Sequence, residues 1–518
     1  MNRVQTARQI ATILQRAILP VLLGLATPSL ADAPAAPPIS IQGQVEATLG
    51  AAPKGTRFGL LVVDEAGKVI VSINPDGRFI PASNTKMFTT AAAYALLPGM
   101  DQPDAAGGTQ VALRPGKRKG APDVVLLGRG DARMSSASDC KVDCLATLAD
   151  AIAAKTKVVG DVIGDDTWFP DQRWSPGMSW NNFGSNDATA ASALSLDSNE
   201  MIVRVIPGQV GQPPMVTASP YITVANEAVT LAGSKTHLTL EHEPNSRSFR
   251  LYGTIATDAP EWWELIGVDD PALFAAWTFA EMLRSRGVAI KGQSVPLHRP
   301  VTDKDDPNWS FDGSVPGPQR LDTSHGTVIF GFTGTELTPL ARLTPPPLAE
   351  DVVLINKVSQ NNHAETLLRR IGRLGAAGST GDGLQSMSIV FNYQVGIPRE
   401  GYDFSDGSGM STYNRVSPRA AVILLRWIAT QQWGKAWYAS LPIAGVDGTL
   451  KRRFIGTPLE GNLIAKTGTL NATNAISGTF RAASGRTLTF AFFANDVPDG
   501  QSAVPAMEAV LLLIAASN

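Results

Sequence analysis

The chain has 518 residues, enough for two or three domains and a large core. Hydrophobic residues at 44% and charged residues at 17% exclude a disordered polypeptide. The formal net charge is −2 and the basic run RPGKRKG (114–120) is short, so nucleic acid is excluded as a partner and the run reads as a solvated turn.

Residues 1–33 read as an export signal. Arg3, Arg8 and Arg16 precede the apolar stretch AILPVLLGLA (17–26), and SLADA (29–33) offers small residues for cleavage after Ala31 or Ala33. The apolar stretch is about half the roughly 20 residues that a membrane-spanning helix needs. AVLLLIAAS (509–517) reads as a core helix, so the mature chain is expected to be periplasmic, with no transmembrane segment, and to begin with DAPAAPP. Two apolar runs follow, FGLLVVD (58–64) and KVIVSIN (68–74), joined by EAG as a β-hairpin, and NPDG (74–77) makes the next turn.

In PASNTKMFTTAAAYALL (81–97), Met87, Phe88, Ala91, Leu96 and Leu97 recur at helical spacing. Ser83 therefore opens a buried helix, and Lys86 lies one turn along on the same face. The partial positive charge of the helix N-terminus favours a developing alkoxide there. S-x-x-K alone is a weak signal. A second copy, Ser138–Lys141, sits ahead of a helix without a preceding hairpin and reads as chance.

The stretch 99–344 has a different texture. DVVLLGRGD (123–131) and VVGDVIGDDTWF (158–169) read as strands, CLATLADAIAAK (144–155) as an amphipathic helix, and four short β-type runs follow between 199 and 256. ALFAAWTFAEMLRSRG (272–287) reads as a helix ended by Gly287. Cys140 and Cys144 are the only cysteines. In an oxidising compartment they could pair, and a regular helix would hold their Cα atoms about 6 Å apart. The scattered histidines His237, His242, His298, His325 and His363 form no H-E-x-x-H, so no metal site is expected. Trp168 and Trp180 read as core anchors, with glycan contact as the alternative. After 345 helices return, among them SPRAAVILLRWIATQQW (417–433). AISGTFRAASGRTLTFAFFAND (475–496) reads as a hairpin around Ala483–Gly485, and the chain closes with a helix. Strands near both termini suggest one sheet built from the two ends.

Three short motifs stand in order: Ser83-Asn84-Thr85-Lys86, Ser359-Gln360-Asn361 and Lys466-Thr467-Gly468. Together with PASNTKMFTTAAA, GDVIGDDTWF, SALSLDSNE, KVSQNNHAETLLRRIG, DGSGMSTYNRVSP, LPIAGVDGTLKRRF and IAKTGTLNATNAISG, they resemble the D-alanyl-D-alanine carboxypeptidase/endopeptidase family, the class C low-molecular-mass penicillin-binding proteins. Gln360 stands where an aspartate is commoner, and GRGDARM is less regular than the family's glycine-rich stretch.

The resemblance implies an α/β (α+β) serine transpeptidase/β-lactamase-like domain with a large β-rich insertion. Residues 34–98 and 345–518 would form the catalytic domain and 99–344 the inserted module. It implies catalysis by Ser83, Lys86, Ser359, Asn361 and Lys466, and substrate binding by Thr467, Gly468 and Thr469, with no cofactor. Ser83 would be acylated; Lys86 would act as its base if burial and the second cation, Lys466, lower its pKa, or would stay charged and only position the hydroxyl. Ser359 would relay a proton to the leaving amine, Asn361 would hold Lys86 and the substrate amide, and Lys466 would attract the substrate carboxylate. Gly468 would let the substrate backbone approach the strand, and the Ser83 and Thr469 N–H groups would form the oxyanion hole. The loop DGSGMS around Asp406–Ser408 would lie near the site. Peptidoglycan stem peptides would be the substrates and β-lactams covalent inhibitors. A homodimer stays open, as do two rival readings: a β-lactamase or esterase of the same fold, and a non-catalytic wall-binding protein.

Overall fold

The computed structural model describes residues 40–233, 235–302, 305 and 337–518; the expected export signal, the DAPAAPP stretch and His325 lie outside the described residues. The first helix, α1 (Ile41–Gly50), leads into β1 (Arg57–Val63) and β2 (Val69–Ile73), the antiparallel hairpin expected from the two apolar runs. After the turn at 74–77 comes α2 (Thr85–Leu96), entered through one 3₁₀ turn at Ala82–Asn84. Helices α3 (Leu348–Lys357), α4 (Asn361–Gly372) and α5 (Pro418–Ala429) follow much later. The chain ends with β3 (Ile464–Leu470), β4 (Thr473–Arg481), β5 (Thr487–Asn495) and α6 (Val504–Ser517).

These strands make one sheet in the order β3–β4–β5–β1–β2. Strand β1 pairs antiparallel with β5, placing Leu60 opposite Phe492, so the two ends of the chain do meet in one sheet. Both faces are covered, which is why β1 and β5 read as continuous apolar runs. On one face Leu60, Val62, Phe490 and Phe492 pack with Val45 of α1 and with Met507 and Leu511 of α6. On the other, Leu61, Val63, Ala491 and Phe493 pack with Met87 and Phe88 of α2 and with Leu424 and Leu425 of α5. A side chain of this size contributes about 1.5–3 kcal/mol when fully buried. The covered sheet fixes β3 as an edge strand.

Residues 110–342 carry the remaining large sheets. One has five strands, in the order 294–299, 162–170, 121–127, 110–118, 341–342. RPGKRKG falls at the end of its 110–118/121–127 hairpin, whose turn is solvated. Two smaller sheets are built from 200–206, 215–217 and 262–267, and from 223–226, 229–231, 237–242 and 248–256. The helix Pro271–Ser285 is capped by Asp270, which accepts from Leu273 N at 2.9 Å, and ends before Gly287 at φ 73°. Its buried face joins Leu145, Leu148 and Ile152 of the helix Leu145–Lys155 in a second core.

Cys140 and Cys144 are joined by a disulfide, Cα atoms 5.7 Å apart. Neither lies inside a helix: Cys140 is in a turn and Cys144 caps the helix that follows. Trp168 is half-buried between the guanidinium groups of Arg129 and Arg373. Trp180 corrects the expectation of a core anchor, being 74% exposed. It sits in a 3₁₀ turn with no buried residue, so nothing covers its ring. Among the described residues no helix is long and apolar enough to cross a membrane.

Candidate active site

The three motifs converge where the start of α2 meets the edge strand β3 and the start of α4. Lys86 and Lys466 are both fully buried, and Ser83 between them is half-buried. Lys86 Nζ lies 3.0 Å from Ser83 Oγ and 2.6 Å from the carbonyl oxygen of Ser408, and it donates to Asn361 Oδ1. Lys466 Nζ donates to Ser359 Oγ at 2.9 Å and to its neighbour's carbonyl, Thr467 O, at 3.0 Å. Asn84, between Ser83 and Lys86, donates to Lys466 O at 3.1 Å and ties α2 to β3.

Two of Lys86's three partners can only accept. The Ser408 carbonyl has no proton, and Asn361 turns its oxygen inward because its Nδ2 donates to Asp187 O at 2.7 Å. A neutral Lys86 has two N–H bonds, which those acceptors take. Its lone pair is then left facing Ser83 Oγ, the one partner with a proton to give. Burial pushes Lys86 down to about 8, against the opposing pull of Asp406, Glu365 and Asp187. Lys466 is held well below the usual lysine range by burial first and the Lys86 charge second. The sequence expectation assigned the like-charge effect to Lys86; in the structure it falls on Lys466. Among the described residues no carboxylate pairs with Lys466, leaving a buried amine at the sheet edge whose charged form a carboxylate ligand would stabilise.

The loop 406–411 supplies the Ser408 carbonyl, and two buried acids hold it in shape. Asp406 accepts from Gly409 N at 2.9 Å, Ser411 N at 2.5 Å and Asn414 Nδ2 at 2.6 Å. Glu365 accepts from Ser408 N at 2.8 Å and Gly407 N at 3.0 Å. Burial raises both carboxyls above their ordinary range, outweighing these hydrogen bonds. The sequence placed DGSGMS near the site, but the lysine-binding role of its carbonyl and the presence of Glu365 were missed. The only available sign was an Asp-Gly-Ser-Gly turn, because backbone acceptors carry no residue signature.

Ala82, just before Ser83, has φ 47°, and Ser359 has φ 66°. Left-handed backbone costs a non-glycine residue roughly 1–2 kcal/mol, so tertiary contacts must hold both positions. Gly409, itself at φ 90°, leaves only 2.0 Å between its absent Cβ position and Ala82 O. A Cβ on Gly468 would come within 2.8 Å of Pro81 O and 3.0 Å of Ser83 N. Gly468 therefore makes room first for the protein's own serine turn, a reason that the sequence reading, which invoked the substrate backbone, did not contain. Thr467 Oγ1 lies 2.6 Å from Thr449 Oγ1, while Thr469 is exposed on the strand edge. Gln360 caps α4 through Asn362 N at 3.0 Å, pointing away from the lysines. Ser138 and Lys141 are exposed and distant in character from this site.

A serine hydroxyl 3.0 Å from one buried amine, with a second buried amine alongside, is an arrangement suited to acyl transfer to a substrate ending in a carboxylate. The crystal structure of penicillin binding protein 4 (dacB) from Haemophilus influenzae shares the fold: TM-score 0.72, 20% identity, covering 91% of this chain and 97% of that one. D-alanyl-D-alanine carboxypeptidase DacB of the same organism is 24% identical over 472 residues, covering 86% of this chain and 87% of that protein. D-alanyl-D-alanine carboxypeptidase of Actinomadura sp. (strain R39) is 34% identical over 492 residues, covering 91% of this chain and 84% of that protein. The sequence profile of the D-Ala-D-Ala carboxypeptidase 3 (S13) family matches residues 41–305 and 320–516, and the chain belongs to that family.

Proposed function

We propose that this serine-type D-Ala-D-Ala carboxypeptidase uses Ser83 as its nucleophile and neutral Lys86 as the base. The observation that carries this reading is the arrangement of two obligate acceptors and one hydroxyl around Lys86 Nζ. Ser83 Oγ attacks the carbonyl carbon of the penultimate D-Ala as its proton passes to Lys86. The oxyanion is received by the N–H groups of Ser83 and Thr469, each such donor being worth about 3 kcal/mol. The C–N bond breaks as Ser359 hands its proton to the departing amine, and the proton held by Lys86 replaces it, leaving Lys86 neutral again. Water then attacks the ester carbonyl carbon as its proton passes to Lys86, and that proton goes on to Ser83 Oγ as the acyl C–O bond breaks and the shortened peptide leaves. Lys466, aided by the Thr467 and Thr469 hydroxyls, holds the terminal carboxylate. The substrate strand lies along the free edge of β3.

The same chemistry extends to D-Ala cross-links to meso-diaminopimelate, making the enzyme an endopeptidase as well. We further assign residues 1–33 to a cleaved export signal, the mature enzyme to the periplasm, and 99–344 to a module inserted between the halves 34–98 and 345–518 of the catalytic domain. Intact mass after mixing with benzylpenicillin, followed by peptide mapping, tests the assignment. A lasting adduct on Ser83, absent from Ser83→Ala, is the expected result. An adduct mapping elsewhere overturns the nucleophile, and penicillin consumed without an adduct points to a β-lactamase.

A further inference from the structure

The residues of the second motif are bound from outside the catalytic sheet. Gln360 Nε2 donates to Glu200 Oε1 at 2.8 Å, and Asn361 Nδ2 to Asp187 O at 2.7 Å. Asn362 Nδ2 donates to Ser198 O at 3.2 Å, and Asn362 Oδ1 receives Asn199 Nδ2 at 3.5 Å. His363 Nε2 lies 3.0 Å from Ser198 Oγ, while its Nδ1 faces Asp351 Oδ1 at 3.0 Å. The imidazole is thus held at both nitrogens, by the Asp351 carboxylate on one side and the Ser198 hydroxyl on the other. Four consecutive residues, 360–363, are thus each gripped by the one segment 187–200.

That segment has a backbone that ordinary side chains avoid. Asp197, Ser198 and Asn199 lie in sequence at φ 51°, 57° and 58°, a left-handed turn without a glycine. Left-handed residues normally occur singly, so a run of three persists only where its surroundings impose it. Each side chain is fastened. Asp197 accepts from Ser136 N at 2.9 Å and Ser136 Oγ at 2.5 Å. Asn199, fully buried, donates to Ala190 O at 2.9 Å and Ser195 Oγ at 3.1 Å and accepts from Leu196 N at 3.1 Å. A turn that only had to connect two strands would use glycine. This one presents Ser198 O, Ser198 Oγ and the Asn199 amide together to α4.

We propose that the turn Asp197–Ser198–Asn199 is a positioning device for catalysis, clamping the first turn of α4 so that Asn361 Oδ1 meets Lys86. Ser198 and Asn199 are positioning residues that touch no substrate. They act through Asn362 and His363 on the register of α4, and so on Asn361. The inference rests on the assignment of Ser83, Lys86 and Asn361 above.

The test measures acylation by benzylpenicillin in wild type, Ser198→Ala, Asn199→Ala and Leu251→Ala, each normalised by active-site titration with the adduct mass. Leu251 is fully buried in the core of 110–342 and takes part in none of the clamp's hydrogen bonds, so it controls for loss of stability. Misplacing Asn361 by a fraction of an ångström is expected to lower the saturating acylation rate per titrated site about 10- to 100-fold in Asn199→Ala and less in Ser198→Ala. The half-saturating penicillin concentration should change less than the rate, since neither substituted residue itself touches the ligand. Leu251→Ala should lower the melting temperature with the rate per site retained. Equal rates per site in all four proteins overturn the clamp, as does a loss in Leu251→Ala matching that in Asn199→Ala. Should Asn199→Ala fail to fold, Ser198→Ala decides on the same criterion. A wild-type protein that forms no adduct sinks the Ser83 assignment itself, a distinct result.

Discussion

Lys86 offers the sharpest test of the proposed chemistry, in which its protonation sets the rate of Ser83 acylation. An ordinary lysine near 10.5 is roughly 0.03% neutral at pH 7, whereas one at about 8 is roughly 10% neutral. Burial therefore enlarges the supply of neutral amine about 300-fold, equivalent to about 3 kcal/mol at 1.36 kcal/mol per pH unit. The sign follows from the direction of the shift. The reactive form is the neutral one, so acylation falls as pH drops below about 8 and levels off above it. From pH 6 to 7 the rate should rise about ninefold, and from pH 7 to 8 about fivefold. Benzylpenicillin is a suitable probe because its carboxylate stays ionised throughout that range. Stopped-flow or quenched mass measurements give both the second-order constant and the saturating rate. Lys466, held below the ordinary lysine range, adds a fall to the second-order constant as it loses its charge, and that fall should move to higher pH at saturation because the bound carboxylate holds the proton. A saturating rate that stays flat from pH 6 to 9 would refute Lys86 as a neutral base.

Three further outcomes follow from packing. Gly468→Ala puts a methyl 2.8 Å from Pro81 O, so the serine turn must shift; stability should fall by about 1–3 kcal/mol and acylation by about 100-fold, read by urea unfolding and adduct formation. Replacing Cys140 and Cys144 by serine opens a loop whose ends are only 4 positions apart, which should cost about 2 kcal/mol of stability and leave the acylation rate per site unchanged. A changed rate would reveal a link from that loop to the site. Asp104 pairs with Arg370 through 2.5 and 2.8 Å contacts with both side chains buried, so Asp104→Ala should cost about 3–5 kcal/mol. A loss under about 1 kcal/mol would mean that Gly130 O, 3.3 Å from the same guanidinium, suffices as a partner.

The sequence by itself determined the hairpin β1–β2, the helix opening at Ser83, the C-terminal hairpin and the three motifs. These depend on local periodicity and on residue types with little chemical substitute. A serine, two lysines and an amide can be found by spacing. It also suggested that the two ends share a sheet, because strands stand near both termini with helices between them. Only the tertiary structure shows what surrounds the Lys86 amine. Its acceptors are a carbonyl at Ser408 and an amide turned by Asp187 O, both far away along the chain, and neither leaves a mark that a linear pattern can record. The left-handed residues Ala82, Ser359 and Ser198 were equally illegible, since alanine and serine rarely adopt that backbone and tertiary contacts must hold them there. Trp180 shows the converse: an apolar residue type suggested burial, and a short turn with nothing packed over it left the ring in solvent. Local physics selects the parts, and which backbone oxygen faces which amine is settled only by the packing of segments hundreds of residues apart.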